Sequence, residues 1–396
     1  MKILEVNKFY YLRRGAERHF LDVIELLKKH GHEVGVFAMQ HVENNASQYE
    51  RYFPSFVGYN TSDANLWQIL KGLGRIFWSF EARHQMQTLL RDWQPHIVHM
   101  HNIYHQLSPS IFGPIKKSGI PIIMTVHDYN LISPDKDAYY PEVGRKYWKF
   151  LLLKKYGFFK RLILVAKKYW ENAMGFYEKN IDLYIVPSEY VKKSFRSAAI
   201  PENKIIVLPH FTLKKQNVPV DGNVLSNPQA IYFGSLSKEK KTNALIDMFE
   251  VLKVPLVLAG TREKDFRPQK NCYASLVGQK TGQELDYLID RATCVVSATA
   301  LPETFGLIVL EANVRGKPFF GLQSGAYAEI ITAGENGYLA NDLDELRKYL
   351  AEFFAGKHPY ASQEIKKRAL ARFAEDLYIK KFVYLCQALM HAKSEK

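Results

Sequence analysis

The sequence is short of cysteine, of acidic side chains and of long apolar runs, and each shortage removes a class of protein. Its three cysteines, Cys272, Cys294 and Cys386, show neither metal spacing nor a disulfide framework, which points to a reducing compartment. Met1-Lys2-Ile3-Leu4-Glu5 reads directly into a strand, with no signal-peptide core. No apolar run reaches the ~18 residues that a membrane-spanning helix needs. Against 54 Lys and Arg there are only 40 Asp and Glu, so the net charge is +14. A balance this basic favours anionic partners. Zinc-finger spacing, an RNP sequence and a clear helix-turn-helix are also missing, so nucleic acid is set aside. A membrane surface or a phosphorylated substrate remains. The expected setting is cytoplasmic, in part peripheral on the inner membrane face.

What is present is a two-domain α/β pattern. A chain of 396 residues, 47% hydrophobic, is ample for two packed cores. Strand Lys2 to Asn7, a helix from about Ala16 to His30 and strand Glu33 to Ala38 make a βαβ start, and hence a parallel sheet. Phe20, Val23, Ile24 and Leu27 fall at helical spacing on that helix. Leu66 to Leu90 also alternates helically. Residues 139–180 interleave Lys and Arg with Trp, Tyr, Phe and Leu, a composition that suits amphipathic helices at an anionic membrane interface and equally a core helix pair with basic solvent faces. Residues 211–229 are polar, carry Pro219, Gly222 and Pro228, and read as a linker. Amphipathic helices are expected over Leu343 to Phe354 and Gln363 to Met390.

Chemistry concentrates in residues 294–337. Strand Cys294-Val295-Val296-Ser297 is followed by a loop with Pro302 and Gly306, then a helix from about Leu307 to Val314. The backbone N–H groups of Phe305, Gly306 and Leu307 stand at a helix start, where an anion is favoured. Glu303 and Glu311 bracket it. At about 1.5 Å per residue they lie up to roughly 12 Å apart, which suits a ligand with hydroxyls at both ends and a diphosphate between. Elsewhere, Thr125-Val126-His127-Asp128 places a histidine and an acid at the carboxyl end of a buried strand, where α/β sheets bind ligands. His99-x-His101 has no legible third metal ligand, and is read as structural or acceptor-side.

The ordered string Glu303, Glu311-Ala312, Gly316-x-Pro318 and Gly325-x-x-x-Glu329 resembles the donor site of retaining GT-B glycosyltransferases of family four. The resemblance covers nearly the whole chain. It implies two Rossmann-like doubly wound domains facing across a cleft: residues 1–210 on the acceptor side, 230–375 binding the nucleotide-sugar, and a last helix, 376–396, crossing back towards the first domain. It also implies transfer of a sugar from a UDP- or GDP-sugar to a glycolipid or polysaccharide, without metal or other cofactor, in envelope or exopolysaccharide synthesis. By the same resemblance Glu311 holds the ribose, Glu303 the sugar hydroxyls and Lys240 the diphosphate. Gly15, Gly234, Arg262, Gly278, Phe305, Gly306 and Leu307 line the donor, and His127 lies near the transferred sugar.

The sequence departs from that pattern in places. Arg14 stands for the first glycine of the usual Gly-Gly-x-Glu loop, which Gly15 and Glu17 otherwise match. Ser235 replaces the diphosphate-clamping arginine, and Lys241 replaces the glycine after Lys240. A nucleotide-sugar epimerase on the same fold, and a non-catalytic nucleotide-sugar binder with a decayed diphosphate site, are the alternatives.

Overall fold

The structure is a computed structural model; it describes residues 1–57, 74–153, 155–213, 228–263, 265–268 and 272–394. The chain divides into two compact units, one of residues 1–209 with 376–396 and one of residues 210–375. Most of the expected linker, 214–227, lies outside the described residues.

The first unit carries a six-stranded parallel sheet built from β1 (Lys2–Val6), β2 (Glu33–Phe37), β3 (Ile97–Met100), β4 (Ile122–Thr125), β5 (Leu183–Val186) and β6 (Ile205–Val207), in the order β2-β1-β3-β4-β5-β6. The order reverses direction between β1 and β3. The second unit repeats the plan with β7 (Ala230–Phe233), β8 (Leu256–Ala259), β9 (Ala274–Gly278), β10 (Cys294–Ser297), β11 (Phe319–Leu322) and β12 (Gly337–Ala340), ordered β12-β11-β10-β7-β8-β9. Its reversal lies between β10 and β7. Such reversals open a crevice at the carboxyl ends of the strands, and ligands bind there. Each unit is thus a doubly wound α/β layer structure, two in one chain, as in the GT-B architecture.

The strands are apolar along their length because both sheet faces are covered. Alternate residues part to opposite faces. In the second unit Ile231, Val295 and Phe319 pack into one cluster, and Tyr232, Val296 and Phe320 into the other. In the first unit the helix Gly15–Lys29 buries Phe20, Val23, Ile24 and Leu27, the face its periodicity predicts. Helix Glu375–Ser394 belongs to the same unit, where Phe382 packs on His99 and Lys381 donates to the Val207 carbonyl.

Three expected helices differ. Of Leu66 to Leu90, residues 66–73 lie outside the described residues; the rest is broken before Phe80–Trp93, where Ser79 caps a new start by accepting from the Ala82 N–H. Gln363 to Met390 is two helices, Ser362–Arg372 and Glu375–Ser394, since residues 373–374 pair instead with Thr212. Within 139–180 the helix Phe158–Met174 buries Lys167 and Lys168 on Glu171, so those two cations are core, not surface.

Candidate functional site

Strands β7 and β10 are neighbours in the second sheet, and the loops that leave their carboxyl ends carry Lys240 and Glu303. The two side chains form an ion pair, each about three-quarters buried. Two features hold the lysine loop. The Lys240 N–H donates to Ser237 Oγ at 3.2 Å, and Thr242 Oγ1 donates to the Ser237 carbonyl at 3.1 Å. Lys241 sits at φ +50°, the left-handed region that favours glycine. The glutamate is fixed through its backbone. Its carbonyl accepts from the Ala326 N–H at 2.9 Å. Gly325, at φ +54°, lies so close that a Cβ would come within 2.2 Å of that oxygen. Gly325 and Glu303, two members of one sequence string, therefore meet through the backbone.

Two buried tyrosines, Tyr232 and Tyr327, feel the Glu303 charge. Burial pushes the Tyr232 and Tyr327 hydroxyls up, with the Glu303 charge adding to it, so both stay protonated. Gly306, at φ +106°, lies against the Tyr327 ring, where a Cβ would come within 2.7 Å. It leads into helix Leu307–Asn313, on which Glu311 is half-buried. The Phe305 side chain points elsewhere: it is buried on His210 and Phe373, with ring centroids 5.0 and 5.7 Å away.

The loop after β7 is also tied to the loop after β8. Leu236 N–H donates to the Thr261 carbonyl and Glu263 N–H to the Leu236 carbonyl, both at 2.9 Å. Arg262 is thereby paired with Leu236, next to Ser235. Gly260 is obligatory here, since a Cβ would lie 1.6 Å from the Gly234 carbonyl oxygen. Its N–H donates to the Gly278 carbonyl at 2.8 Å, which joins Gly278 to the same edge. Beside Gly278 an open hollow of about 580 Å³ is lined by Val277, Lys280, Glu284, Tyr287 and others.

In the first unit His127 follows β4, and its Nε2 lies 2.8 Å from His101 Nδ1. Asp128 Oδ1 accepts from the Asn130 N–H at 2.9 Å. Burial raises its carboxyl, opposed by that bond and by Lys8. Gly15 is exposed at the start of its helix, and Glu17, two residues on, is buried.

Residues 13–212 match the family described as Glycosyltransferase Family 4, and residues 214–371 match Glycosyl transferases group 1. The chain belongs to glycosyltransferase family 4.

Among similar proteins, an uncharacterised 42.6 kDa protein in the cps region of Klebsiella pneumoniae is 23% identical, covering 87% of this chain and 91% of the relative. Among solved structures, Anabaena HepE in complex with UDP and glucose matches with TM-score 0.64 at 15% identity, over 98% of this chain and 99% of that one. The lipopolysaccharide outer core galactosyltransferase WaaB matches with TM-score 0.62 at 17% identity, over 99% and 100%. These likenesses are of fold.

In this transferase the second unit thus brings together Gly234, Lys240, Arg262, Gly278 and Glu303 on loops after adjacent strands, and Gly306 and Leu307 lead from the Glu303 loop to Glu311. Glu5 was missed by motif reading. It is wholly buried on β1 and directly opposite His99 in the register of β1 and β3. Its signal was a lone acid within the otherwise apolar run Ile3-Leu4-Glu5-Val6.

Proposed function

We propose that this glycosyltransferase moves a sugar, with retention at the anomeric carbon, from a UDP- or GDP-sugar to a glycolipid or growing polysaccharide, without a metal ion. The observation that carries the donor reading is the Lys240–Glu303 pair, which sets a cation for the diphosphate beside a carboxylate for sugar hydroxyls. Glu311 takes the ribose hydroxyls in this reading. The place of the missing arginine is taken by Arg262, whose backbone is paired beside Ser235. A guanidinium fork there can stabilise the departing diphosphate. His127 acts near the transferred sugar, and the leaving diphosphate accepts the acceptor's proton.

The acceptor class rests on the surface of the first unit. Trp148, Leu152, Phe158, Phe159 and Leu162 are exposed around the basic side chains of Lys146, Lys149 and Lys160. Aromatic and basic residues side by side suit an anionic membrane interface, with about 1 kcal/mol from each cation. No helix among the described residues is long and apolar enough to cross a membrane. The cps-region relative is consistent with a polysaccharide or its lipid-linked precursor as acceptor.

The test is incubation of the purified protein with UDP- and GDP-sugars and lipid-linked glycan acceptors, with and without EDTA. Transfer to the acceptor with an unchanged anomeric configuration, at the same rate in EDTA, is expected. Interconversion of the donor without acceptor would instead reveal an epimerase.

A further inference from the structure

Strand order in the first sheet reverses between β1 and β3, so the loops that leave the carboxyl ends of β1, β3 and β4 open around one crevice. The loop after β1 carries two cations, Lys8 and Arg13, and the loop after β4 carries Asp128 and Lys136. Lys8 is fixed through its backbone. Its N–H donates to the Asn102 carbonyl at 3.0 Å, just past β3, and its carbonyl accepts from the Met39 N–H at 3.1 Å, just past β2. Its neighbour is held too, since Asn7 Nδ2 donates to the Phe9 carbonyl at 2.9 Å.

The two cations reach one ring. Lys8 Nζ lies 6.0 Å and the Arg13 guanidinium 4.8 Å from the centroid of Phe9, which is buried and packs edge-on to Tyr11. Lys8 is half-buried and Arg13 is exposed. Among the described residues, neither side chain has a hydrogen bond or an ion pair. Other lysines of this unit that are drawn out of solvent are engaged: Lys155 lies 2.8 Å from Asp135, and Lys168 3.0 Å from Glu171. A cation withdrawn from water without a partner is costly, and like charges on one loop repel. A bound anion relieves both.

The charges around the pair leave room for that anion. Burial lowers the Lys8 ammonium; the Glu17 and Asp128 charges raise it, and those of Lys136 and Arg13 lower it again. Burial raises the Asp128 carboxyl, which weakens it as a partner, and Lys136 is shared with Asp137 at 3.4 Å. His105, in the loop after β3, gives a separate sign. Burial lowers its imidazole, and the charges that lower it further are all cations, Lys167, Lys8, Lys168 and Lys136. A crevice with low-dielectric walls and charge of one sign concentrates the opposite charge. An arriving anion also favours the charged form of Lys8.

We propose that Lys8 and Arg13 form a phosphate subsite in the first unit, and that it takes a phosphate carried by the acceptor. The subsite rests on the first unit alone; its assignment to the acceptor rests on the transferase reading above. A phosphate monoester brings a charge of about −1.5 to −2 and three acceptor oxygens, which two cations match. The arginine fork takes two oxygens and the lysine serves as a point charge. The donor's diphosphate has its own cations, Lys240 and Arg262, on loops of the second unit. The acceptor class thereby narrows to a glycan or lipid with a phosphate near the hydroxyl that receives the sugar.

The test uses inorganic phosphate as probe, followed by phosphorus-31 line broadening with the full chain. Lys240→Met serves as the background, so that the second unit's lysine is out of the measurement. Broadening should persist in that background and be abolished when Lys8→Met or Arg13→Gln is added. Should Lys8→Met not fold, Arg13→Gln, at an exposed position, tests the same subsite. In the transferase assay, either substitution alone should raise the acceptor KM about tenfold or more, as loss of a charge-assisted bond does, and leave the donor KM in place. Lys8→Arg should recover most of the loss at that position. Broadening lost already in Lys240→Met, or unmoved by both first-unit substitutions, would overturn the proposal. So would a donor KM that rises while the acceptor KM stays, which would give the phosphate to the nucleotide. Phosphate binding that depends on Lys8 and Arg13, in a protein that transfers no sugar, would overturn only the transferase reading.

Discussion

The Lys240 ammonium and the Glu303 carboxylate are bonded to one another although 63 residues separate them. The order of the sheet brings this about. Strand order reverses between the parallel neighbours β7 and β10, so the loops that follow these two strands open side by side at the crevice. In the proposed reading the pair keeps a cation for the diphosphate and a carboxylate for sugar hydroxyls within one hydrogen bond of each other.

Lys240→Met should therefore affect ligand more than fold. The pair is about a quarter exposed, and its contribution to stability should stay within about 1 kcal/mol. Loss of a charge-assisted bond to the diphosphate should cost on the order of 1.5–3 kcal/mol, a 10- to 100-fold rise in Kd. Titration calorimetry with the preferred nucleotide, beside a thermal melt of the same variant, separates the two.

Gly325→Ala should displace Glu303. Its Cβ would meet both the carbonyl oxygen and the nitrogen of Glu303, at 2.2 and 2.5 Å, from a left-handed backbone. A loss of roughly 1–3 kcal/mol in stability is expected, together with weaker donor binding. Gly334→Ala is the control. It has φ +78° but nothing within 4 Å of the added carbon, so only the backbone strain of about 1 kcal/mol should register, with donor binding intact.

Lys241→Gly should raise the melting midpoint. The residue at this position adopts φ +50°, which disfavours any side chain by about 1 kcal/mol. An unchanged or lower midpoint would mean that the lysine makes a compensating contact.

His210 predicts a pH dependence of the second unit. Burial holds its imidazole down at about 3, against 6.5 when unfolded. The folded value is depressed, so the stabilisation is fully present above pH 6.5 and is lost as pH falls towards 3. The slope is about 1.4 kcal/mol per pH unit for one proton. Urea unfolding between pH 7 and 4 should show that slope in the unaltered protein, reduced by one proton in His210→Gln.

Much of this was legible in the residues. Apolar runs bounded by Gly and Pro located the strands, and the string from Glu303 to Glu329 singled out the loop whose glutamate pairs with Lys240. Two kinds of fact were not. Helix ends set by a tertiary partner, such as the break at residues 373–374 against Thr212, leave no mark in local periodicity. Burial and cross-strand register are equally silent: Lys167 and Lys168 look like surface charge although they are buried one helical turn from Glu171, and Glu5 gains meaning only from the register that sets it opposite His99.

The central claim is a nucleotide-sugar site in the second unit, and thermal unfolding with UDP, GDP, ADP and their sugars tests it most directly. A ligand at ~100 times its Kd adds about 2.7 kcal/mol. That should raise the midpoint by roughly 2–4 °C per kcal/mol. The account predicts such a rise with one nucleotide class, diminished in Lys240→Met and in Glu311→Gln. Flat curves with every nucleotide, or a rise untouched by either substitution, would contradict it.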